Sequence, residues 1–455
     1  MLFKIIRNNL QLTFPILLTR MLGILSNTIA MILMARLGSD ALSASALIMG
    51  IFSVCVLLVM SFSFSVCAIV SESTSLKNTK RVGSIVSCSL LLNSLLAIPF
   101  MLVFYNITDI LILLRQPPPI AVLAGQYFRG MLLGYLPMIW ASILEQFFIG
   151  IGKPKYILYL SILGLFVMPS ISYVLIFGMY GIPKLGMLGA GYAVTITSFM
   201  SLLFLTCFIL SKNWHRKYNL FSFKENLDYA LMRKLYQLGW PIALQFSGEF
   251  LAYILITLMM GWLGVIALAA QQIILQFTSV VIMIPTSVAQ ATTVLVGQAQ
   301  GCRDESLLKI QVNVSLLIVC IFMAIIALFY ICMPETLARI YLDNSDVQAS
   351  SILMLTKTLL AITALSQLFD GARNVLSGAF RGIQETKIPM IIGSTSLWLV
   401  SIPSAYVLGF IMHEGAAGVR SGFAIGIIVG TLSLLISWYR KPSNAFEGLK
   451  TSVMQ

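Results

Sequence analysis

Twelve apolar stretches constrain what this chain can fold into, because each is long enough to cross the roughly 30 Å hydrocarbon core of a bilayer as a helix. They lie near residues 10–34, 42–70, 84–105, 121–149, 156–178, 186–210, 238–260, 267–297, 310–332, 352–379, 388–411 and 418–438. Hydrophobic residues make up 59% of the sequence and charged residues only 10%, a balance that excludes a soluble domain. We therefore predict an all-α polytopic membrane protein with twelve transmembrane helices.

The second half of the sequence repeats the first half at a constant offset. Phe14-Pro15-Ile16 aligns with Trp240-Pro241-Ile242, Arg36-Leu37-Gly38 with Trp262-Leu263-Gly264, and Ala41-Leu42 with Ala267-Leu268. The separation is constant, since 241 − 15, 264 − 38 and 267 − 41 all equal 226. We predict two pseudo-symmetric six-helix lobes, 1–210 and 238–455, the second ending in a cytoplasmic tail. The cytoplasmic linker is 211–237, and its segment 224–234 is predicted to be an amphipathic helix on the membrane surface.

The basic residues predict the orientation in the membrane. A net charge of +13 would indicate nucleic-acid binding in a soluble protein, but here most of the 29 Lys and Arg residues occupy alternate polar gaps between apolar stretches. These gaps include the linker and both ends of the chain, so the positive-inside rule places both termini in the cytoplasm. The opposite loops are assigned Arg36, Arg115, Lys184, Arg339 and Arg420. We expect a multi-pass protein of the inner membrane, with no nucleic-acid partner.

Several classes of chemistry find no support in the sequence. The seven cysteines contain no CxxC pair, and there are only two histidines, which argues against a disulfide framework or a metal cluster. The chain has no HExxH, GxSxG or P-loop motif. We therefore expect neither an enzyme nor an ATP-driven pump, and no cofactor beyond a coupling ion. An ion channel would need a filter or a charged ring, and neither is evident.

Two acids inside the spans are the main candidates for function. Glu249 lies in span seven without another charge in that span, and Asp370 lies in span ten. A carboxylate at membrane depth costs roughly 3 kcal/mol or more, so the two acids are predicted to share a proton or a Na⁺ ion as the cation-coupling site. The structural alternative is ion pairing, which Arg373 offers to Asp370 at a spacing of three residues.

Other polar residues and prolines within spans have two interpretations each. Arg20 either neutralises an acid across a cavity or extends toward the cytoplasm, whereas Glu145 is read as a solvated helix-end carboxylate. The glutamines either line a wet cavity in the second lobe or fill dry helix contacts; they are Gln245, Gln271, Gln272 and Gln276. The prolines are either static kinks or hinges, and the candidate hinges are Pro15, Pro241 and Pro285. Gly422, Gly426 and Gly430 predict a flat face for close helix packing.

The combination of motifs resembles the MATE (multidrug and toxic compound extrusion) family, in particular its NorM-like bacterial branch. The resemblance covers most of the chain and is carried by Gly239-Trp240-Pro241, Glu249, Ala269-Ala270-Gln271-Gln272, Met283-Ile284-Pro285, Asp370, Phe380-Arg381-Gly382 and Thr386-Lys387-Ile388-Pro389. It implies two six-helix lobes around a central cleft and a secondary antiporter that exports amphipathic, usually cationic, compounds against Na⁺ or H⁺. It also implies that Glu249 and Asp370 belong to the second-lobe cation site.

Three departures from the family pattern affect this prediction. The family usually has His-Gln at Gln271-Gln272. A first-lobe acid is replaced by Ala30, with Asn27 as the nearest polar side chain, and Glu249 aligns with Gly23 in the first lobe. Arg373 would compete with a bound sodium ion.

The expected cleft-lining residues are Gln245, Gln271, Gln272, Gln276, Asn27, Arg20 and Arg373, in a protein predicted to be monomeric. A dedicated exporter of one endogenous metabolite and a lipid-linked-precursor flippase remain alternatives.

Overall fold

The computed structural model describes residues 2–179, 181–220, 227–342 and 348–440, and these are helical almost throughout. Among these described residues, twelve helices are long and apolar enough to cross a membrane. We number them α1 Leu2–Ala35, α2 Ser39–Ser75, α3 Thr79–Tyr105, α4 Pro118–Gly150, α5 Lys155–Phe177, α6 Gly186–Ser211, α7 Tyr229–Trp262, α8 Val265–Gly301, α9 Glu305–Cys332, α10 Ala349–Gly382, α11 Lys387–Ile411 and α12 Gly415–Arg440. Each contains one predicted apolar stretch, so the predicted fold class is confirmed.

The helices extend beyond the apolar stretches because helical hydrogen bonding continues into polar flanks. The clearest case is α7, which begins at Tyr229, whereas its apolar stretch was predicted to begin at 238. Residues 229–234 of the predicted surface helix therefore form the first turns of α7, and residues 224–226 lie outside the described residues. The predicted tail after Arg440 also lies outside them. Short helices at Ile107–Leu113, Trp214–Tyr218 and Pro334–Arg339 were not predicted.

The chain divides into two compact units whose boundaries fall inside α1 and α7. An N-terminal unit comprises Phe14–Ala243, and a C-terminal unit comprises Met1–Thr13 together with Leu244–Gln455. The boundaries lie beside Pro15 and Pro241, one residue before the first proline and two residues after the second. The lobe limits predicted from the sequence stay a prediction.

Helices α4 and α10, the fourth of each predicted lobe, pack against several others of their own unit. Within the N-terminal unit, α4 packs against α2, α3 and α6. Within the C-terminal unit, α10 packs against α8, α9 and α12. Residues on a helix surrounded in this way have little contact with lipid, so polar side chains on α10 can face protein instead.

Helices α11 and α12 approach closely along the glycine row of α12. A Cβ added at Gly422 would lie 2.2 Å from the Ala405 backbone nitrogen, and one at Gly426 would lie 1.9 Å from Ser401 Oγ. Two π-helical segments, Ser396–Ser401 and Val407–Ile411, interrupt α11 along this contact. The predicted close-packing face is therefore confirmed, and its partner is α11.

Prolines lie inside several spans, but the helix breaks only near one of them. Pro15 and Pro241 sit within continuous helices. In contrast, α8 consists of Val265–Val281 and Met283–Gly301, with the break at Ile282. Pro285 explains the break, because a proline ring clashes with the carbonyl four residues earlier, here that of Val281.

Candidate functional site

Helices α7 and α10 bring five polar side chains together inside the C-terminal unit. Asp370, Arg373 and Asn374 lie on one face of α10, because residues three and four apart are neighbours on a helix. Glu249 lies on α7, one turn after Gln245, which donates a hydrogen bond from Nε2 to Glu249 Oε1 at 3.1 Å. The two helices thereby bring three charges and two amides together.

The guanidinium of Arg373 bridges the two carboxylates. Its Nη1 lies 2.8 Å from Glu249 Oε1, and its Nη2 and Nε lie 2.8 and 3.1 Å from Asp370 Oδ1. The side chains are 4% exposed for Arg373, 8% for Asp370 and 15% for Glu249. Ion pairs are attracted most strongly when they are removed from water, so this bridge is a strong link between α7 and α10.

The bridge corrects one expectation from the sequence and extends another. Glu249 was read as an isolated acid, and that is wrong, because Arg373 reaches it from a helix distant in sequence. The spacing of Asp370 and Arg373 did predict their ion pair. The functional and structural interpretations are therefore not exclusive, since the two acids lie at one buried place and share one base.

The bridge leaves little room for an external cation at the same oxygens. Glu249 Oε1 and Asp370 Oδ1 both accept from Arg373, and Asn374 Nδ2 lies 3.5 Å from Asp370 Oδ2. Among the described residues, no group of three or more His, Cys, Asp or Glu side chains is arranged to hold a metal ion. A sodium ion between the acids would have to displace the guanidinium.

Helix α11 packs against the same site through small residues. A Cβ added at Gly393 would lie 3.7 Å from Gln245 Nε2 and 3.9 Å from Arg373 Nη1. Trp398 Nε1 would lie 3.5 Å from a Cβ added at Gly248, the residue before Glu249. Because Ser396–Ser401 is π-helical, Trp398 sits in a segment of the kind that is frequent at functional sites.

The structure places the predicted glutamines in different surroundings. Gln245 contacts Glu249, as described above. Gln271 is fully buried, with neither amide atom hydrogen-bonded, whereas Gln272 and Gln276 are exposed one turn apart on α8. The four glutamines therefore do not form one row, and their roles stay predictions.

A second arginine of the C-terminal unit is a finding that sequence reasoning missed. Arg420 was assigned to a loop, and this is wrong, because it lies in the second turn of α12 and is only 2% exposed. Its Nε donates to Thr363 Oγ1 at 3.0 Å, and its guanidinium lies 5.6 Å from the centroid of the Phe423 ring. The glycines Gly422 and Gly426 that allow α12 to pack closely follow Arg420 on the same helix.

In the N-terminal unit, Arg20 on α1 and Glu145 on α4 attract one another electrostatically. This supports the interpretation that Arg20 neutralises an acid, and Glu145 is therefore not a simple solvated helix end. Asn27 is exposed and Ala30 is buried.

Comparison with known proteins agrees with the duplicated, all-helical membrane fold. The MatE family model matches residues 15–174 and 241–407, two segments that begin at Pro15 and Pro241. The multidrug resistance protein NorM of Burkholderia vietnamiensis is 31% identical over 433 residues, which are 94% of this chain and 92% of that protein. A probable NorM of Agrobacterium fabrum is 30% identical over 95% of this chain and 93% of its own length.

Solved structures show the same fold at lower sequence identity. The Vibrio cholerae MATE transporter VcmN in its bent form has a TM-score of 0.87 at 15% identity and is covered to 98%, as is this chain. The eukaryotic MATE transporter AtDTX14 has a TM-score of 0.84 at 18% identity, with 98% of each chain covered. The fold, the duplicated family match and the relatives all agree: this chain belongs to the MATE family.

Proposed function

We propose that this chain is a secondary active antiporter that exports amphipathic organic compounds in exchange for protons entering the cell. Membership of a family of transporters means that it is not an enzyme. The multidrug resistance proteins to which it is similar support a broad range of exported compounds. The observation that carries the proposal is the buried bridge from Glu249 through Arg373 to Asp370.

The bridge gives protonation a direct mechanical consequence. A proton bound by Glu249 removes the negative charge that attracts Arg373, and the link between α7 and α10 weakens. Pro241 lies eight residues before Glu249 on α7, a distance of about 12 Å along the helix. A proline interior to a helix removes one backbone hydrogen bond, so α7 is able to bend there once the bridge is released.

Arg373 favours a proton over sodium as the coupling ion. A proton needs only one carboxylate oxygen, whereas a sodium ion needs several oxygen ligands at once, and Arg373 already engages the oxygens that face each other. A sodium ion that displaced the guanidinium would leave the buried charge of Arg373 without either carboxylate partner, and breaking a buried pair costs about 3–5 kcal/mol. A proton on Glu249 leaves Arg373 paired with Asp370. Proton coupling avoids that cost.

We further propose that the protein works as a monomer in the bacterial inner membrane with both termini in the cytoplasm. The distribution of Lys and Arg supports this orientation. A lipid-linked-precursor flippase would be favoured by a cavity lined with cations. The buried charges of α7, α10 and α12 instead comprise two acids and two bases, so this alternative receives no specific support.

The test is counterflow of a fluorescent organic cation in proteoliposomes with imposed ion gradients. We expect a proton gradient to drive accumulation at symmetric sodium, and a sodium gradient at symmetric pH to drive none. Glu249→Gln and Asp370→Asn each keep the size of the side chain and remove its charge. We expect both to lower gradient-driven transport at least about tenfold, which corresponds to ~1.4 kcal/mol.

A matched control is Glu335→Gln, which removes an exposed carboxylate that lies between α9 and α10 and pairs with the exposed Lys357 of α10. Exposed ion pairs contribute little, so this variant should transport like the wild type. Wild-type transport by Glu249→Gln with unchanged pH dependence would show that the bridge is structural and would overturn the proposed coupling site.

A further inference from the structure

We infer that Arg420 forms a binding site for a single anionic group, a carboxylate or a halide, separate from the Glu249–Arg373–Asp370 bridge. Anion binding at Arg420 does not depend on the proposed function. Export of a compound that binds there through its carboxylate does rest on the proposed function.

The first observation is a buried charge without a contacting counter-ion. Within the described residues, no carboxylate lies at ion-pair distance from Arg420, although Asp370 attracts it from further away. Asp370 is already bound to Arg373, twice over. An unpaired guanidinium at 2% exposure is costly, and one ring contact with Phe423 offsets only part of that cost.

The second observation is a set of buried polar atoms around Arg420 that make no hydrogen bond. They are Arg420 Nη1, the hydroxyl of Tyr330 and Oε1 of Gln367. Tyr330 interacts electrostatically with Arg420, and its hydroxyl lies near the Gln367 side chain without making a hydrogen bond of normal geometry to it. Gln367 lies one turn from Thr363, which binds Arg420 directly. Their relative exposures are 4% for Tyr330 and 7% for Gln367.

These groups have the chemistry that an anion requires. The guanidinium and the tyrosine hydroxyl are donors, and the glutamine amide becomes a donor when its oxygen and nitrogen exchange places. A bound anion would therefore supply the missing counter-charge and use donors that no protein group satisfies.

The inference also changes the expected class of substrate. Glu249 and Asp370 carry two negative charges, and Arg373 and Arg420 carry two positive charges, so these four side chains are neutral together. A lone organic cation finds no excess negative charge there. A compound that carries both an amine and a carboxylate is complementary, because its carboxylate can meet Arg420.

The experiment compares two dyes that differ by one negative charge, rhodamine B and its ethyl ester. Binding is measured by fluorescence anisotropy with the full chain in nanodiscs, and the signal of empty nanodiscs is subtracted. We expect wild-type protein to bind the acid more tightly than the ester. Arg420→Gln should raise the Kd of the acid about tenfold, or ~1.4 kcal/mol, and leave the Kd of the ester within about twofold.

Three controls make the result decisive. Arg420→Lys keeps the charge and should recover part of the affinity for the acid. Thermal unfolding of each variant shows whether it is folded. Replacing chloride by gluconate identifies the occupant. If wild-type protein then binds the acid more tightly but Arg420→Gln does not, chloride competes for the site. If the affinity for the acid does not change, only the carboxylate enters.

Equal affinity of wild-type protein for the acid and the ester would overturn the inference, even if Arg420→Gln does not fold. An equal loss of both dyes in a folded Arg420→Gln would assign Arg420 a structural role and overturn it as well. Neither result would bear on proton-driven export of cations, which depends on Glu249 and Asp370.

Discussion

Arg373 occupies the position between two acids that an external cation would otherwise take. Its three nitrogens contact one oxygen of Glu249 and one of Asp370, at 2.8 to 3.1 Å. A tethered guanidinium cannot be exchanged for a bulk ion, but it can lose a partner when that partner is protonated. This makes Arg373 the residue that determines which ion can act at the site.

Arg373→Gln should therefore create a requirement for an external cation. Without the guanidinium, the two carboxylates need a sodium ion or a proton as counter-charge. An ion that binds only the folded protein stabilises it by mass action, so we expect sodium to raise the thermal unfolding temperature of the variant relative to choline at neutral pH. Wild-type protein and the surface control Lys309→Gln should show no such difference. An Arg373→Gln protein that is indifferent to sodium would contradict this role.

Asp304 supports a different prediction, about stability and pH. It caps α9 by accepting hydrogen bonds from the backbone N–H of Leu307 at 2.9 Å and from Ser306 Oγ at 2.7 Å. The Leu307 hydrogen bond, followed by that of Ser306, holds the pKa of the Asp304 carboxyl below its usual range. A lowered folded-state pKa contributes stability above the unfolded pKa of about 3.9, and this contribution is lost as the pH falls through the folded value.

Asp304→Ala should consequently unfold at a lower temperature than the wild type at pH 7, with Asp304→Asn between the two because asparagine still caps a helix. The difference between wild type and Asp304→Ala should narrow below about pH 4, as the carboxylate becomes protonated. Thermal unfolding across this pH range measures it, and a difference that does not change with pH would argue against the charged cap.

The residues of the candidate site were predictable only in part. Charge inside an apolar stretch identified Glu249 and Asp370, and helical spacing identified the pair of Asp370 with Arg373. The contact of Arg373 with Glu249 depends on how α7 and α10 are rotated and shifted relative to each other, and one sequence does not specify that. Arg420 was misplaced because a charge close to glycines resembles a span boundary.

At the scale of elements, the twelve helices were predictable because the bilayer fixes both their composition and their minimum length. Their ends were less predictable, since polar flanks continue the helix where no residue stops it, as at the start of α7. The π-helical segments of α11 were not predicted at all. They lie where α11 packs against α12, a contact that one sequence does not specify.

The contact between α11 and α12 should be sensitive to one methyl group. In Gly422→Ala the new Cβ would lie 2.2 Å from a backbone atom of Ala405, so α11 would have to shift as a whole. Overpacking of this kind costs about 1–3 kcal/mol. We expect a lower unfolding temperature in detergent and a smaller folded fraction on gel filtration.

Gly261→Ala is the matched control for this change. It lies within α7, and an added Cβ there meets nothing within 4 Å. Alanine favours a helix over glycine by about 1 kcal/mol, so the control should be as stable as the wild type or slightly more stable. If Gly422→Ala unfolds like Gly261→Ala, the helices separate more easily than the structure implies.

At the scale of the whole molecule, a duplicated sequence has acquired different charges in its two halves. The family match begins at Pro15 and again at Pro241, and the compact units change beside both prolines. In the N-terminal unit a base on α1 attracts an acid on α4, whereas in the C-terminal unit α7 supplies an acid and α10 both a base and an acid. The repeated helices thus keep the same order while the polar residues that join them differ.

The orientation in the membrane can be tested with the native cysteines of this chain. Cys302 and Cys332 are exposed and free, and they lie at opposite ends of α9, a helix of 28 residues that spans about 42 Å. The positive-inside rule places the Cys302 end in the cytoplasm and the Cys332 end outside.

We consider two variants, each retaining one of these cysteines with the other exposed cysteines replaced by serine. In intact cells, a small impermeant maleimide should label Cys332 at once and Cys302 only after permeabilisation. In a third variant that keeps Cys320 as its one exposed cysteine, this thiol in the middle of α9 should react slowly in both conditions, because lipid suppresses formation of the thiolate. Labelling of Cys302 but not Cys332 in intact cells would reverse the proposed topology, and with it the direction in which protons must enter to drive export.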